Sequence, residues 1–255
     1  MTTKPKVLIT GAAGRIGQHL VEHWRERYDL VLTDQRVPGI THGFPFGPAD
    51  LGQMDDLEPL FAGVHTVVHL GADPSTRAAW DSLLNSNIVG VYNVLECARL
   101  AGCQRVVFTS SVNTVRGYPA DVQVKPDMPV APPNLYGASK AWGEAVGRFY
   151  ADQLGLSVFC LRIGALMKSG DERFKPDHPD LDIALTYGDL ARLFDACMCT
   201  SLAVRFGLFH GISDNRFKRL DLTETCRVLG YAPQDDAFVL AGMVGPERPD
   251  HLYDK

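Results

Sequence analysis

Apolar residues follow two rhythms along this chain. Val7 to Thr10, Leu30 to Thr33, Thr66 to Leu70, Arg105 to Thr109 and Leu156 to Ile163 are short, nearly continuous apolar runs, as expected of strands buried on both faces. Between them, Arg15 to Arg27, Asp55 to Phe61, Trp80 to about Leu100 and Tyr136 to Gly155 carry apolar residues at helical spacing. The Gly/Pro-rich stretch His42 to Pro48 and the segment holding Pro119, Pro126, Pro129, Pro132 and Pro133 read as loops. Past the break at Gly164 the pattern predicts a polar loop from Met167 to Pro179, a helix from Tyr187 to Thr200, a strand from Val204 to His210 and a short helix from Thr223 to Gly230. Strands alternating with helices in this way give an α/β fold, a doubly wound parallel sheet with helices on both faces.

Composition sharpens this picture. The 255 residues, 45% hydrophobic, suffice for one large domain over 1–255, and no repeat or linker divides them. A net charge of −5 with both signs interspersed offers no basic stripe for nucleic acid, so none is expected as a partner. No apolar run approaches the roughly 20 residues of a membrane span, and no membrane partner is expected. The start, Met1 to Lys6, leads into a strand without a signal-peptide core, which predicts a cytoplasmic protein. Cys97, Cys103, Cys160, Cys197, Cys199 and Cys226 lack the spacing of a zinc site or a disulfide framework and read as reduced residues, so no metal is expected.

Gly11-Ala12-Ala13-Gly14-Arg15-Ile16-Gly17 lies between the first strand and the first helix. Glycines there let the backbone approach a pyrophosphate, whose charge the helix N-terminus then stabilises. The G-x-x-G-x-x-G spacing by itself is equally that of a tight strand-to-helix turn. Asp34, at the end of the second strand, adds the acid that accepts from a ribose 2′-OH and repels a 2′-phosphate. NAD is therefore the expected cofactor of a Rossmann-type fold, with Arg36 nearby as the feature that speaks for a phosphate instead.

Tyr136 and Lys140, four residues apart on a predicted helix, share a face. A phenol of ordinary pKa about 10 is a poor base at neutral pH, and a neighbouring cation favours its phenolate. With Ser111, at the end of a strand, they form a catalytic trio: Tyr136 as acid/base at the carbinol oxygen, Lys140 as its cation, Ser111 as hydrogen-bond donor to the reacting oxygen.

On these motifs the chain resembles the extended short-chain dehydrogenases/reductases of the NAD-dependent epimerase/dehydratase family over roughly residues 7 to 240. Ala49-Asp50-Leu51, His69-Leu70-Gly71-Ala72 and Asn87 to Leu95 are similar to further family segments. The resemblance implies that Asp50, Leu51, Leu70, Gly71, Ala72, Asn87 and Ile163 line the NAD site, and that Lys140 also holds the nicotinamide ribose beside Tyr136. It implies a homo-oligomer paired through the long central helix and the tyrosine-bearing helix.

Only about 90 residues follow Gly164, so the expected substrate is smaller than a nucleotide sugar. A small substrate-binding part is expected at roughly 165–185 and 210–255. Phe108 to Ser111, Leu135 to Lys140, Arg162-Ile163-Gly164 and Leu229 to Pro233 are similar to the branch of the family that oxidises C1 of a free hexuronic acid to an aldarolactone. That branch has Asn-His after the serine pair, where this chain has Val112-Asn113, and a carboxylate-binding arginine for which Arg173 is the nearest match. Arg173 in Asp171-Glu172-Arg173 reads equally as a solvated surface residue. Ser75 and Asn113 are further candidates for sugar contacts, Asn113 equally a structural loop residue; Asp73, before Pro74, reads as a turn residue. A sugar or sugar-acid dehydrogenase is the first expectation, an NAD-retaining sugar epimerase the second, and a non-catalytic NAD-binding regulator the third.

Overall fold

The computed structural model describes residues 4–245; the last part of the expected substrate-binding region, 246–255, lies outside them. The strands are β1 (Lys6–Thr10), β2 (Asp29–Asp34), β3 (Phe46–Pro48), β4 (Thr66–His69), β5 (Arg105–Ser111), β6 (Ser157–Ile163), β7 (Ala165–Met167), β8 (Ala184–Thr186) and β9 (Phe206–Gly211). The helices are α1 (Arg15–Trp24), α2 (Met54–Leu57), α3 (Trp80–Leu83), α4 (Gly90–Leu100), α5 (Leu135–Leu154), α6 (Tyr187–Cys199), α7 (Thr223–Leu229) and α8 (Ala237–Leu240).

Seven strands form one sheet in the order β3-β2-β1-β4-β5-β6-β9, and β3, β2, β1, β4 and β5 pair in parallel. From β1 the chain winds outward through β2 and β3, then returns to lay β4 on the other side of β1. The order therefore reverses between β1 and β4, where loops at the strands' C-terminal ends open a crevice in folds of this Rossmann type. Buried aliphatic residues of β1, β4 and β5 fill the centre, among them Val7, Leu8, Ile9, Val67, Val68, Val106 and Val107.

Contacts divide the chain into two compact units, Met1–Ser110, Asn134–Cys160 and Leu202–Gly207 against Ser111–Pro133, Leu161–Ser201 and Leu208–Lys255. The first holds the glycine loop, β1 to β4 and α1 to α5. The second includes the stretches expected to bind substrate and adds Ser111–Pro133. Within it β7 pairs in parallel with β8, and Met167, Leu181, Ala184, Ala237 and Phe238 form a core with Phe174 and Phe217 packed against it.

Several elements depart from the pattern-based expectation. β5 runs two residues further and takes Ser110 and Ser111 into the strand. The helix expected at Asp55 to Phe61 turns 3₁₀ from Glu58 to Phe61, where Pro59 removes a backbone donor. The helix expected from Trp80 to Leu100 contains a π-helical stretch, Leu84 to Val89. β3 falls in the stretch His42 to Pro48 that was expected to be loop, and β8 lies in a stretch given no expectation; at three residues each they carry too few positions to show a period.

Candidate active site

The loop from Gly11 to Gly17 connects β1 to α1. Gly11 has φ +70°, and a Cβ there would meet the Gly71 nitrogen at 2.7 Å, so the loop after β1 lies against the loop after β4. Gly71 N donates to Thr10 Oγ1 and Leu70 N to Thr10 O, both at 3.2 Å, which fixes Leu70-Gly71-Ala72 beside the glycine loop. Helix α1 begins at Arg15, next to Ile16, with Gly14 extended before it and no side-chain cap on its first turn. A bare helix N-terminus approached by a glycine loop suits a pyrophosphate.

Asp34, the last residue of β2, accepts from Ala13 N through Oδ2 and from Arg36 N through Oδ1, both at 3.0 Å. A carboxylate has about four acceptor positions, so two remain for a ribose diol. Asp50 accepts from Gly52 N at 2.9 Å and Asn85 Nδ2 at 2.8 Å, and the Leu51 carbonyl accepts from Asn93 Nδ2 at 2.8 Å. Asn87 sits in the π-helical stretch, donating to Asp73 O and Ser139 Oγ and accepting from Asp73 N and Ser86 Oγ. Both its amide nitrogen and its amide oxygen are thus turned to neighbours within the protein.

Helix α5 presents Tyr136 and Lys140, both buried. Asn134 caps it through Oδ1, which accepts from Gly137 N at 2.8 Å. Lys140 Nζ donates to Thr109 O of β5 at 2.9 Å and lies 5.0 Å from the Phe108 ring centroid and 5.8 Å from that of Tyr136. Burial pushes the ammonium down to about 7, against the field of Glu144. The sequence did not point to Glu144, and it gave His69 a place in a family-like segment but no role of its own. Glu144 Oε1 accepts from the Ser110 hydroxyl at 2.5 Å. His69 Nδ1 is 2.7 Å from Thr10 Oγ1, while Nε2 is buried without a partner among the described residues. Burial, then the Lys140 charge, lowers this imidazole to about 3, so it is neutral. A helical i, i+4 count from Lys140 would have found Glu144.

Ser111, Asn113, Ile163 and Arg173 belong to the second unit. Ser111 Oγ accepts from Asn113 N at 3.1 Å and Asn113 Nδ2 at 3.2 Å, which leaves the hydroxyl proton to donate elsewhere. Ile163 ends β6 and is buried. Arg173 is half-buried and bound on its own loop: Nε and Nη2 donate to the two Asp171 oxygens, each at 2.9 Å, and Nη2 to Leu166 O at 2.6 Å. In the first unit, Ser75 is exposed; its backbone N donates to Asp73 Oδ1 at 3.0 Å in an Asx turn. Among the described residues no group of three or more His, Cys, Asp or Glu could hold a metal, and no helix is long and apolar enough to cross a membrane.

The model of the NAD dependent epimerase/dehydratase family matches residues 7–180. The chain is 33% identical to an NAD-dependent glucose-6-phosphate dehydrogenase of Haloferax volcanii, over 91% of this chain and 94% of that protein. It is 32% identical to a uronate dehydrogenase of Pseudomonas putida, over 93% of this chain and 87% of that protein. Among solved structures, a mutant uronate dehydrogenase from Agrobacterium tumefaciens complexed with NAD superposes with a TM-score of 0.84 at 27% identity, covering 99% of this chain and 98% of that one.

Proposed function

Because the chain belongs to the NAD dependent epimerase/dehydratase family, we propose that it is an NAD-dependent dehydrogenase of a sugar acid, oxidising a hexuronate at C1 to its aldarolactone. The observation that carries the reading is Lys140, a buried ammonium held by Thr109 O on the face of α5 that also presents Tyr136. A solvated Tyr–Lys pair would have no reason to bury its cation, because a buried charge is costly unless function or pairing offsets it.

In this reading the Tyr136 phenolate takes the C1 hydroxyl proton while the C1 hydrogen leaves as hydride and the C1–O bond becomes a carbonyl. Lys140 stabilises the phenolate by its charge and is assigned to the nicotinamide ribose as well. Ser111 donates its free hydroxyl proton to the reacting oxygen, and Asn113 keeps that serine's lone pairs occupied. Gly11, Ala13, Gly14, Arg15, Ile16 and Gly17 cradle the pyrophosphate; Asp34 takes the adenosine ribose; Asp50, Leu51, Leu70, Gly71, Ala72, Asn87 and Ile163 shape the remainder of the cofactor cleft. Bound NAD supplies the hydride acceptor. Ser75 and Arg173 are assigned to the sugar, Arg173 to its carboxylate.

Six cysteine thiols fit a reducing, cytoplasmic setting, and exposed Tyr92, Leu100 and Phe149 on α4 and α5 fit a homo-oligomer.

The test is NADH formation with uronic acids, neutral aldoses and polyols, with Tyr136→Phe as the variant. The wild type should reduce NAD with a uronic acid, and the variant should lose about 10²–10⁴ in kcat while still binding NAD. Near-normal turnover by Tyr136→Phe would remove the base. Interconversion of sugar isomers without NADH would make the protein an epimerase, and NAD binding without any chemistry would make it a sensor.

A further inference from the structure

Two successive residues of β5 reach one face of α5 through hydrogen bonds. The Thr109 carbonyl accepts from Lys140 Nζ, and the Ser110 hydroxyl donates to Glu144 Oε1. Lys140 and Glu144 stand one helical turn apart, and both are more than nine-tenths buried, as is Ser110. A carboxylate in such a place costs stability unless another charge or a hydrogen bond offsets it, and the trio of tyrosine, lysine and serine has no use for it. The titratable groups around Lys140 are Tyr136 and Glu144 from its own helix and His69 from β4. His69 is neutral, so it neither supports nor opposes the ammonium by charge.

We propose that Glu144 is a positioning residue for the proton transfer: its carboxylate, fixed by Ser110, keeps Lys140 cationic inside the core and thereby keeps Tyr136 competent as a base. The inference rests on the roles given above to Tyr136 and Lys140. Its physical content is a balance of two effects on one ammonium. Removal from water favours the neutral amine, and the anion one turn away favours the cation. Loss of the anion shifts this balance towards the neutral amine, and with it the phenolate loses stabilising charge.

Glu144→Gln removes the charge, keeps the shape and can still accept from Ser110. The alkaline limb of the kcat/KM profile for uronate oxidation should move towards acid by about one pH unit or more, with fold and NAD affinity retained. A titration of the Lys140 ε-carbon by ¹³C NMR, with no substrate present, should show the same displacement. Ser110→Ala keeps the charge but removes the hydrogen bond that Glu144 accepts from β5, and a smaller displacement in the same direction is expected. A kcat lowered by one constant factor at every pH, with the Lys140 titration in place, would reduce Glu144 to packing and overturn the proposal. Should Glu144→Gln fold poorly, Ser110→Ala decides through the same two measurements, and no displacement there also overturns it. If the wild type oxidises no sugar, the dehydrogenase reading fails, whereas the NMR titration still tests the coupling of Glu144 to Lys140.

Discussion

At His69 a buried imidazole carries a cost that solution pH can expose. Its folded pKa of about 3 lies below the ordinary 6.5, so between these values the unfolded chain binds a proton that the folded chain does not. The stability it contributes is complete above pH 6.5 and is lost as pH falls towards 3. Linkage puts the loss at about 2 kcal/mol between pH 8 and pH 5. Urea melts of wild type and His69→Gln at those two pH values should therefore differ in slope by that amount, the variant falling less; parallel slopes would show that His69 titrates normally. Lys140 follows the same rule in another window. Its contribution is complete above 10.5 and is lost as pH falls towards 7, so the buried ammonium costs stability where the enzyme would need it charged. Asp34 shows the converse economy, since the acid that marks the cofactor in the sequence also ties the glycine loop to β2 through Ala13.

Among the elements, α5 decides the geometry of the site by how closely it docks on β5. Gly143, between Lys140 and Glu144, faces the Phe108 ring, and a Cβ there would come within 2.5 Å of Cζ. Phe108 is buried in the sheet. Gly143→Ala should thus push the helix off the strand, costing about 1–3 kcal/mol as overpacking and stretching the Lys140–Thr109 hydrogen bond. Chemical denaturation and turnover should both register it; a variant as stable and as active as wild type would show that the helix has slack at this contact. The long segment from Trp80 to Leu100 teaches a related lesson. Its apolar spacing was legible as helix, but the π-helical stretch that brings Asn87 to Ser139 leaves the composition unchanged and follows from hydrogen bonds to residues distant in sequence.

For the whole molecule, the acid/base pair and the carboxylate contact are assigned to different stretches of chain: Tyr136 and Lys140 in the first unit, Arg173 in the second. If Arg173 takes the uronate carboxylate, Arg173→Ala should raise KM for a uronic acid at least tenfold more than for a neutral aldose, a loss expected of a charged hydrogen bond. Equal effects on both substrates would leave Arg173 the purely structural partner of Asp171 and Leu166. The alternation of strands and helices, the glycine loop, the acid after β2 and the Tyr–Lys spacing were all readable along the chain, because each is a local period or a short motif. β3 and β8 were not, since a three-residue strand exists only through the partner it pairs with. Nor could the chain show that Thr109 holds Lys140, that Ser110 fixes Glu144, or that Asp171 occupies the fork of Arg173. The sequence by itself determined which groups are present and in what order. Their burial, partners and protonation were decided by the tertiary structure, because desolvation and hydrogen bonding depend on neighbours that chain order does not specify.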